Sequence, residues 1–252
     1  MARGEDSAQA ASRVRIGCAG WSLPAGVASH FPSEGSHLER YARVFSCVEI
    51  NSSFYRSHRP DTYTRWAASV PDDFRFSVKL PRAITHEARL AGVEPALQSF
   101  LNEIAGLGDK LGYLLVQLPP SLALDVALAT RCFAALRAQS PAAIAVEPRH
   151  ASWFTAEAVA LLQHAGVTRV QAHPAAVAEA VPMPEPPAYI RLHGAPRMYY
   201  SAYEPAFIEA VGRRMQEALT RHAEVWCIFD NTAAGEAVPN ALALMAALAL
   251  AR

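Results

Sequence analysis

Gly112-Tyr-Leu-Leu-Val-Gln-Leu118 and Ala143-Ile-Ala-Val-Glu-Pro-Arg149, each followed by a helix-period run (125–138 and 156–165), decide how this chain folds. The two quoted stretches are short and apolar, as buried strands are. The runs behind them return an apolar residue every three or four positions. They start after Asp125 and Thr155, which are good N-caps, and the second stops at Gly166. A strand, a helix and a further strand in this order make a crossover unit, which requires the strands to be parallel.

The same alternation extends in both directions. Strands are expected at 14–19, 48–51, 74–79, 168–172, 188–193 and 225–229, and helices at 37–46, 61–69, 95–106, 204–222 and 239–251. About eight βα units in a chain of about 250 residues match one α/β domain, a single (β/α)8 TIM-type barrel with parallel strands and outer helices. No Gly-x-Gly-x-x-Gly follows the first strand, which weighs against a dinucleotide-binding open sheet. Residues 1–13 are polar and Ala/Ser-rich and read as a disordered leader, and 14–252 as the one domain. The crossover at 174–187 (PAAVAEAVPMPEPP) is too short and proline-rich for a long helix.

The 252 residues hold 23 Lys+Arg against 23 Asp+Glu, 18% charged and 52% hydrophobic. Disorder is excluded by that hydrophobic share, and a surface that coats nucleic acid is argued against by the absence of a basic excess. The most apolar stretch, 241–251, falls short of the roughly 20 residues that span a bilayer, and the N-terminus lacks a signal-peptide core. Cys18, Cys47, Cys132 and Cys227 show no CxxC or zinc-type spacing, so a disulfide is not expected and the cytoplasm is the expected compartment.

Side chains alternate across a strand. Val48 and Ile50 suit the helix layer, which turns Glu49 and Asn51 inward. The same logic turns Ser77 and Lys79, Gln117, Glu147 and Arg149, and Arg191 and His193 inward. All lie toward C-terminal strand ends, where barrel enzymes assemble active sites. Lys79, Arg149 and Arg191 give three positive charges against two from Glu49 and Glu147, with His86, His150 and His193 able to add more. Such a pocket suits a phosphate, a carboxylate or a polyhydroxylated ligand. The loops holding Gly194, Asn231 and Gly235 follow the last two strands, the usual barrel phosphate site. Trp21 and Tyr55, with Phe54, Trp153 and the tyrosines at 199, 200 and 203, are aromatics placed near the mouth, where they can stack on a ligand or pack the loops.

These residues occur in Ile16-Gly-Cys-Ala-Gly-Trp21-Ser, Val48-Glu-Ile-Asn-Ser-Ser-Phe-Tyr55, Phe76-Ser-Val-Lys-Leu-Pro-Arg-Ala-Ile-Thr-His86 and Leu111-Gly-Tyr-Leu-Leu-Val-Gln-Leu-Pro-Pro120. They continue in Val146-Glu-Pro-Arg-His150 with Trp153, Tyr189-Ile-Arg-Leu-His-Gly194, and Phe229-Asp-Asn-Thr-Ala-Ala-Gly235 with Asn240-Ala. In this order and over nearly the whole chain they resemble the DUF72 family, the YecE-like barrels, whose biochemical function is not established. The resemblance implies a single barrel with Glu49, Asn51, Lys79, Gln117, Glu147, Arg149, Arg191, His193 and Asn231 grouped at its mouth. Similar proteins tend to end the sixth strand in an acidic residue, where this chain has Gln171-Ala-His173. Many carry Asn where this chain has Asp230.

The leading functional expectation is a hydrolase or lyase for a phosphorylated or sugar-like small molecule. In it Glu49 and Glu147 divide acid and base duties, Lys79, Arg149 and Arg191 hold the anion, and His193 carries or orients a proton. No cofactor is predicted and no metal site is assigned. A divalent metal on Glu49, Glu147, His193 and Asp230 is the first alternative, and a non-catalytic ligand or nucleic-acid module the second. Lys79 as an imine-forming nucleophile is the third, set against an expected Lys79–Glu49 ion pair. The expected partner is a small molecule, with no membrane, and the oligomeric state is open.

Overall fold

The computed structural model describes residues 13–250. The expected leader lies outside them except for Arg13, whose guanidinium donates to the carbonyls of Leu219, His222 and Ala223. Nine strand segments are present: β1 Val14–Cys18, β2 Cys47–Ile50, β3 Arg75–Lys79, β4 Leu111–Gln117, β5 Ala143–Glu147, β6 Thr168–Arg169, β7 Gln171–His173, β8 Tyr189–Leu192 and β9 Val225–Phe229. They form two sheets, ordered β1-β9-β8-β7 and β2-β3-β4-β5-β6, and every pairing is parallel. The expected sixth strand is therefore two pieces. They are separated by Val170, and each serves a different sheet. At the opposite side Ala19 bridges to Glu49, so the end of β1 meets β2.

The helices are α1 His37–Ala42, α2 Ser52–Tyr55, α3 Pro60–Ala68, α4 Glu94–Ile104, α5 Val126–Gln139, α6 Ala156–Ala165, α7 Pro205–Ala218 and α8 Ala237–Ala247. Their termini follow the local chemistry. Asp125 accepts from the Leu128 amide and Thr155 from that of Ala158, satisfying first-turn donors. Gly166, left-handed at φ 62°, closes α6. Ser36 and Glu39 form a reciprocal capping box on α1. No helix forms in the proline-rich 174–187 crossover. Among the described residues no helix is long and apolar enough to cross a membrane.

Strand alternation divides the buried residues into two groups. Val14, Ile16 and Cys18, with Val48, Ile50, Val78, Val146, Ile190 and Phe229, pack outward against the helices in the main core. Cys47, Tyr113, Leu115, Ala145, Val170, Tyr189, Trp226 and Ile228 form a second cluster between the sheets. Within it Tyr189 and Trp226 stack at 5.9 Å, and Tyr113 meets both rings edge-on. The four cysteines are free and buried.

Gly17 is required by this packing. A Cβ there would lie 2.2 Å from the Cys47 carbonyl oxygen, a backbone atom that cannot swing away. Gly17→Ala is expected to lose about 1–3 kcal/mol of unfolding free energy by urea titration, the usual cost of overpacking. Gly26→Ala, where a new Cβ meets nothing within 4 Å, is the neutral control.

Candidate functional site

Arg191 stands on β8 with its side chain fully buried between the sheets. Its Nε and Nη2 donate to Glu49 Oε2 and Oε1 at 2.9 and 2.6 Å, a bidentate fork. Nη1 donates to Glu147 Oε2 at 2.5 Å and Nη2 also to Asp230 Oδ2 at 2.9 Å. One guanidinium thus holds carboxylates at the ends of β2, β5 and β9. Beneath it the Tyr189 hydroxyl donates to Glu49 Oε2 at 2.9 Å and lies 2.8 Å from Ser77 Oγ, whose proton it can accept.

His193, also fully buried, lies between two of these carboxylates. Its Nδ1 is 3.0 Å from Asp230 Oδ2 and its Nε2 is 3.1 Å from Glu147 Oε1. Arg149 closes over the pair: its Nη2 donates to Glu147 Oε1 and stands 2.9 Å from His193 Nε2. Nε2 therefore has two partners with opposite demands, because an imidazole nitrogen accepts from a guanidinium only when it carries no proton. Tyr199 packs edge-on against the same ring.

Burial alone would raise the Glu147 carboxyl, but Arg191, His193 and Arg149 together overcome it and hold the group well below the usual carboxylate range. Asp230 behaves likewise, with Arg191 and His193 outweighing its burial. Burial pulls His193 down, yet its hydrogen bonds to Asp230 and Glu147 win, so its affinity for a proton is raised. Asp230 also changes the charge tally read from sequence. Three positive side chains (Lys79, Arg149, Arg191) face three negative ones (Glu49, Glu147, Asp230), and the cluster becomes cationic only when His193 is protonated.

Lys79 makes no ion pair among the described residues, because both Glu49 oxygens belong to Arg191. The expected Lys79–Glu49 pair is thus replaced by a cation–π contact, with Nζ 4.1 Å from the Phe54 ring centre. Burial, then the Arg191 charge, push the ammonium down. Phe54 also packs edge-on against His86 and Tyr55, which places His86 one ring away from Lys79, while Tyr55 is mostly solvent-exposed. Asn51 reaches toward Asp230, Nδ2 to Oδ1 at 3.5 Å, and its own Oδ1 is buried without a partner. Gln117 ends β4 in register with Glu147.

The remaining predicted residues contact the surrounding loops and helices, and the Asn231 side-chain oxygen is buried without a partner among the described residues. Asn231 Nδ2 donates to the Ser201 carbonyl and to Asn240 Oδ1, tying the loop after β8 to α8. Gly235 makes a left-handed turn against Pro24. The Gly194 amide is taken by the Tyr203 hydroxyl and that of Gly235 by the Thr232 carbonyl, so neither points at a phosphate. Trp21 packs edge-on against Trp66 of α3. The four side chains considered as metal ligands turn toward the Arg191 guanidinium or each other. Among the described residues no group of three or more His, Cys, Asp or Glu is arranged to hold a metal ion. Tyr189 was not among the predicted residues, although alternation places it on the same face as Arg191, two positions on.

A family model described as "Protein of unknown function DUF72" matches residues 15–252, and the chain belongs to that family. The UPF0759 protein YecE of Escherichia coli is 37% identical over 106 residues, which is 42% of this chain and only 38% of YecE's length. The DUF72 family protein TM1631 from Thermotoga maritima, at 25% identity, superposes with a TM-score of 0.78 over 94% of this chain and 99% of its own. The 3-keto-D-glucoside 4-epimerase YcjR of E. coli shares the fold alone, at 10% identity and a TM-score of 0.52 over 93% of this chain and 98% of its own.

The shifted groups set the pH dependence of stability. A histidine whose proton affinity rises on folding adds stability that is complete below its unfolded pKa, about 6.5, and is lost as pH rises through the higher folded value. Wild-type unfolding free energy minus that of His193→Gln, followed by urea titration from pH 5 to 9, is expected to fall over that alkaline window. His58, His86 and His173 are shifted downward, chiefly by burial, and contribute with the opposite sign; because the His193 charge also lowers His173, the comparison is made in a His173→Gln background so that the difference isolates His193. On the acid side Glu147 contributes stability above its unfolded pKa of about 4.3 that is lost as pH falls.

Proposed function

We propose that the cluster at the strand ends is the active site of an enzyme that cleaves a C–O or P–O bond in an anionic or polyhydroxylated small molecule, as a hydrolase or lyase, with His193 as the proton carrier. The observation that carries this reading is the double bonding of His193 Nε2. With neutral imidazole, Nδ1–H donates to Asp230 and Nε2 accepts from Arg149. With imidazolium, Nε2–H donates to Glu147 Oε1 and Arg149 becomes a like-charge neighbour.

A ligand anion arriving at the mouth competes for Arg149. The guanidinium then turns toward the ligand, and Nε2 gains a proton and an open side. In this reading Arg149 and Lys79 grip the anion, Asn51 and Gln117 meet its hydroxyls, and His193 Nε2–H protonates the leaving oxygen. Asp230 fixes the ring and stabilises its charge, as a carboxylate beside a catalytic histidine does.

Glu49 receives a different role from the one its position suggests. Both of its oxygens are bonded to Arg191 and Tyr189 in a dry interior, so it anchors Arg191 and moves no proton. Glu147, held ionised, tunes His193. We also read the two sheets as one closed eight-stranded barrel, with β6 and β7 as a single strand interrupted at Val170. The Ala19–Glu49 bridge and the Val170 amide bonding the Val146 carbonyl at 2.8 Å support that closure.

Two measurements test the reading. In Arg149→Met, the His193 Hε1 titration followed by NMR is expected to move upward by about one pH unit, the scale of a neighbouring charge. An unmoved titration removes the switch. A panel of p-nitrophenyl phosphate, sugar phosphates and p-nitrophenyl glycosides should then contain a substrate whose turnover falls about 10²–10⁴-fold in His193→Gln. Equal inertness of wild type and variant across the panel overturns the enzymatic reading.

A further inference from the structure

The crossover at 174–187 departs from the pattern of strand, helix and strand, and the strand face it covers departs with it. Val170 belongs to the inner apolar cluster with Tyr189 and Trp226. Alternation therefore turns Arg169 and Gln171 away from that cluster. On the other strands the outward positions of the main core are Val, Ile, Leu, Phe or Cys. Here a basic and an amide side chain lie under a helix-free loop.

That arrangement leaves a cavity of about 510 Å³ between the β6–β7 segment, the 174–187 loop and α7. Phe154, Val177 and Met183 line its apolar side, and Arg169, Gln171 and Arg214 its polar side. A second cavity of about 300 Å³ continues from Gln171 and Arg214 toward Phe207. The volume of the first lies within the range of small-molecule sites, roughly 300–1,000 Å³.

Two polar atoms in this wall have no partner. Arg169 Nη1 and the Gln171 side-chain oxygen are both buried and make no hydrogen bond. Arg169 is otherwise well held: Nη2 donates to the Val181 carbonyl at 2.7 Å, and its guanidinium lies over the Phe154 ring. A buried donor without an acceptor is costly, and a fixed guanidinium with one free N–H is ready to bind an oxyanion. Among the described residues neither Arg169 nor Arg214 makes an ion pair, and with Glu185 and Glu217 also in the lining the site carries no net charge, so a ligand anion is recognised by the unpartnered Arg169 N–H and not by a charge excess.

We propose that this cavity, outside the sheets and separate from the strand-end cluster, is a binding site for an amphiphilic organic anion. An aromatic or aliphatic carboxylate bearing a hydroxyl fits the chemistry. The anion meets Arg169 and Arg214, the hydroxyl donates to Gln171, and the apolar body lies against Phe154, Val177 and Met183. The missing helix is what makes room for it.

Anilinonaphthalene sulfonate and its uncharged counterpart N-phenylnaphthylamine are suitable fluorescent probes of the same shape. Wild type is expected to bind the sulfonate saturably. The double variant Arg169→Met/Arg214→Met should weaken it at least tenfold while leaving N-phenylnaphthylamine within about twofold. Ala176→Trp, which fills the cavity from the loop, should abolish both, and Lys79→Met/Arg149→Met at the strand-end cluster should change neither. Absence of saturable sulfonate binding to wild type, or binding that survives Ala176→Trp, overturns the proposal. So does binding that weakens in the Lys79/Arg149 variant, because the probe then sits in the strand-end cluster.

Discussion

One buried guanidinium organises the upper half of this molecule. Arg191 cannot give up its proton, so it helps hold the Glu147 and Asp230 carboxyls below their usual range, and its donors dictate where the oxygens of all three surrounding carboxylates lie. It reaches from the four-stranded sheet to Glu49 and Glu147 of the five-stranded one, and to Asp230 on its own side. A buried ion pair contributes little net stability against an apolar replacement, but removing one partner leaves stranded charge and costs about 3–5 kcal/mol. The assembly is therefore all-or-none. Its value lies in fixing positions more than in adding stability.

The rest of the site follows from that fixation. Both Glu49 oxygens are taken by Arg191 and Tyr189, and both Glu147 oxygens by Arg191, Arg149 and His193. In the proposed reading this leaves proton transfer to His193, whose proton affinity its carboxylate partners raise. Lys79, released from the pairing that its position suggests, faces an aromatic ring and keeps its donors for something else. Below the charge layer, Tyr189 joins two regimes. Its ring stacks on Trp226 in the inner apolar cluster, and its hydroxyl bonds Glu49. The polar layer rests on a packed floor and not on a water-filled channel.

The inner face of the strands that carry Glu49, Lys79, Gln117, Glu147 and Arg191 was legible from alternation alone, and Glu49, Lys79, Glu147, Arg191 and His193 do gather at one end. Roles were not legible. Alternation shows that Glu49 and Glu147 point inward, but it is silent on which cation takes them. Proximity made Lys79 the expected partner of Glu49, but Arg191 takes it, because the longer, forked side chain meets both oxygens at once. Tyr189 was readable on the Arg191 face but looks apolar in sequence, so its hydroxyl was overlooked. Asn231 and Gly235 sit in loops that match a phosphate-site pattern. Their contacts to Asn240, Ser201 and Pro24, which tie these loops to the rest of the fold, are not encoded in that pattern.

The sequence by itself determined the parallel α/β class, the order of elements, the helix caps at Asp125, Thr155 and Gly166, and the strand faces. Each depends on periods of two or three to four residues, or on a cap within one turn. The tertiary structure decided the partition into two sheets meeting at Val170 and at the Ala19–Glu49 bridge, the pairing of Arg191 with three carboxylates, and the raised proton affinity of His193. These depend on which side chains meet across the interior, often more than a hundred residues apart in the chain. Electrostatic outcomes there turn on distances of a few ångströms that no local pattern encodes.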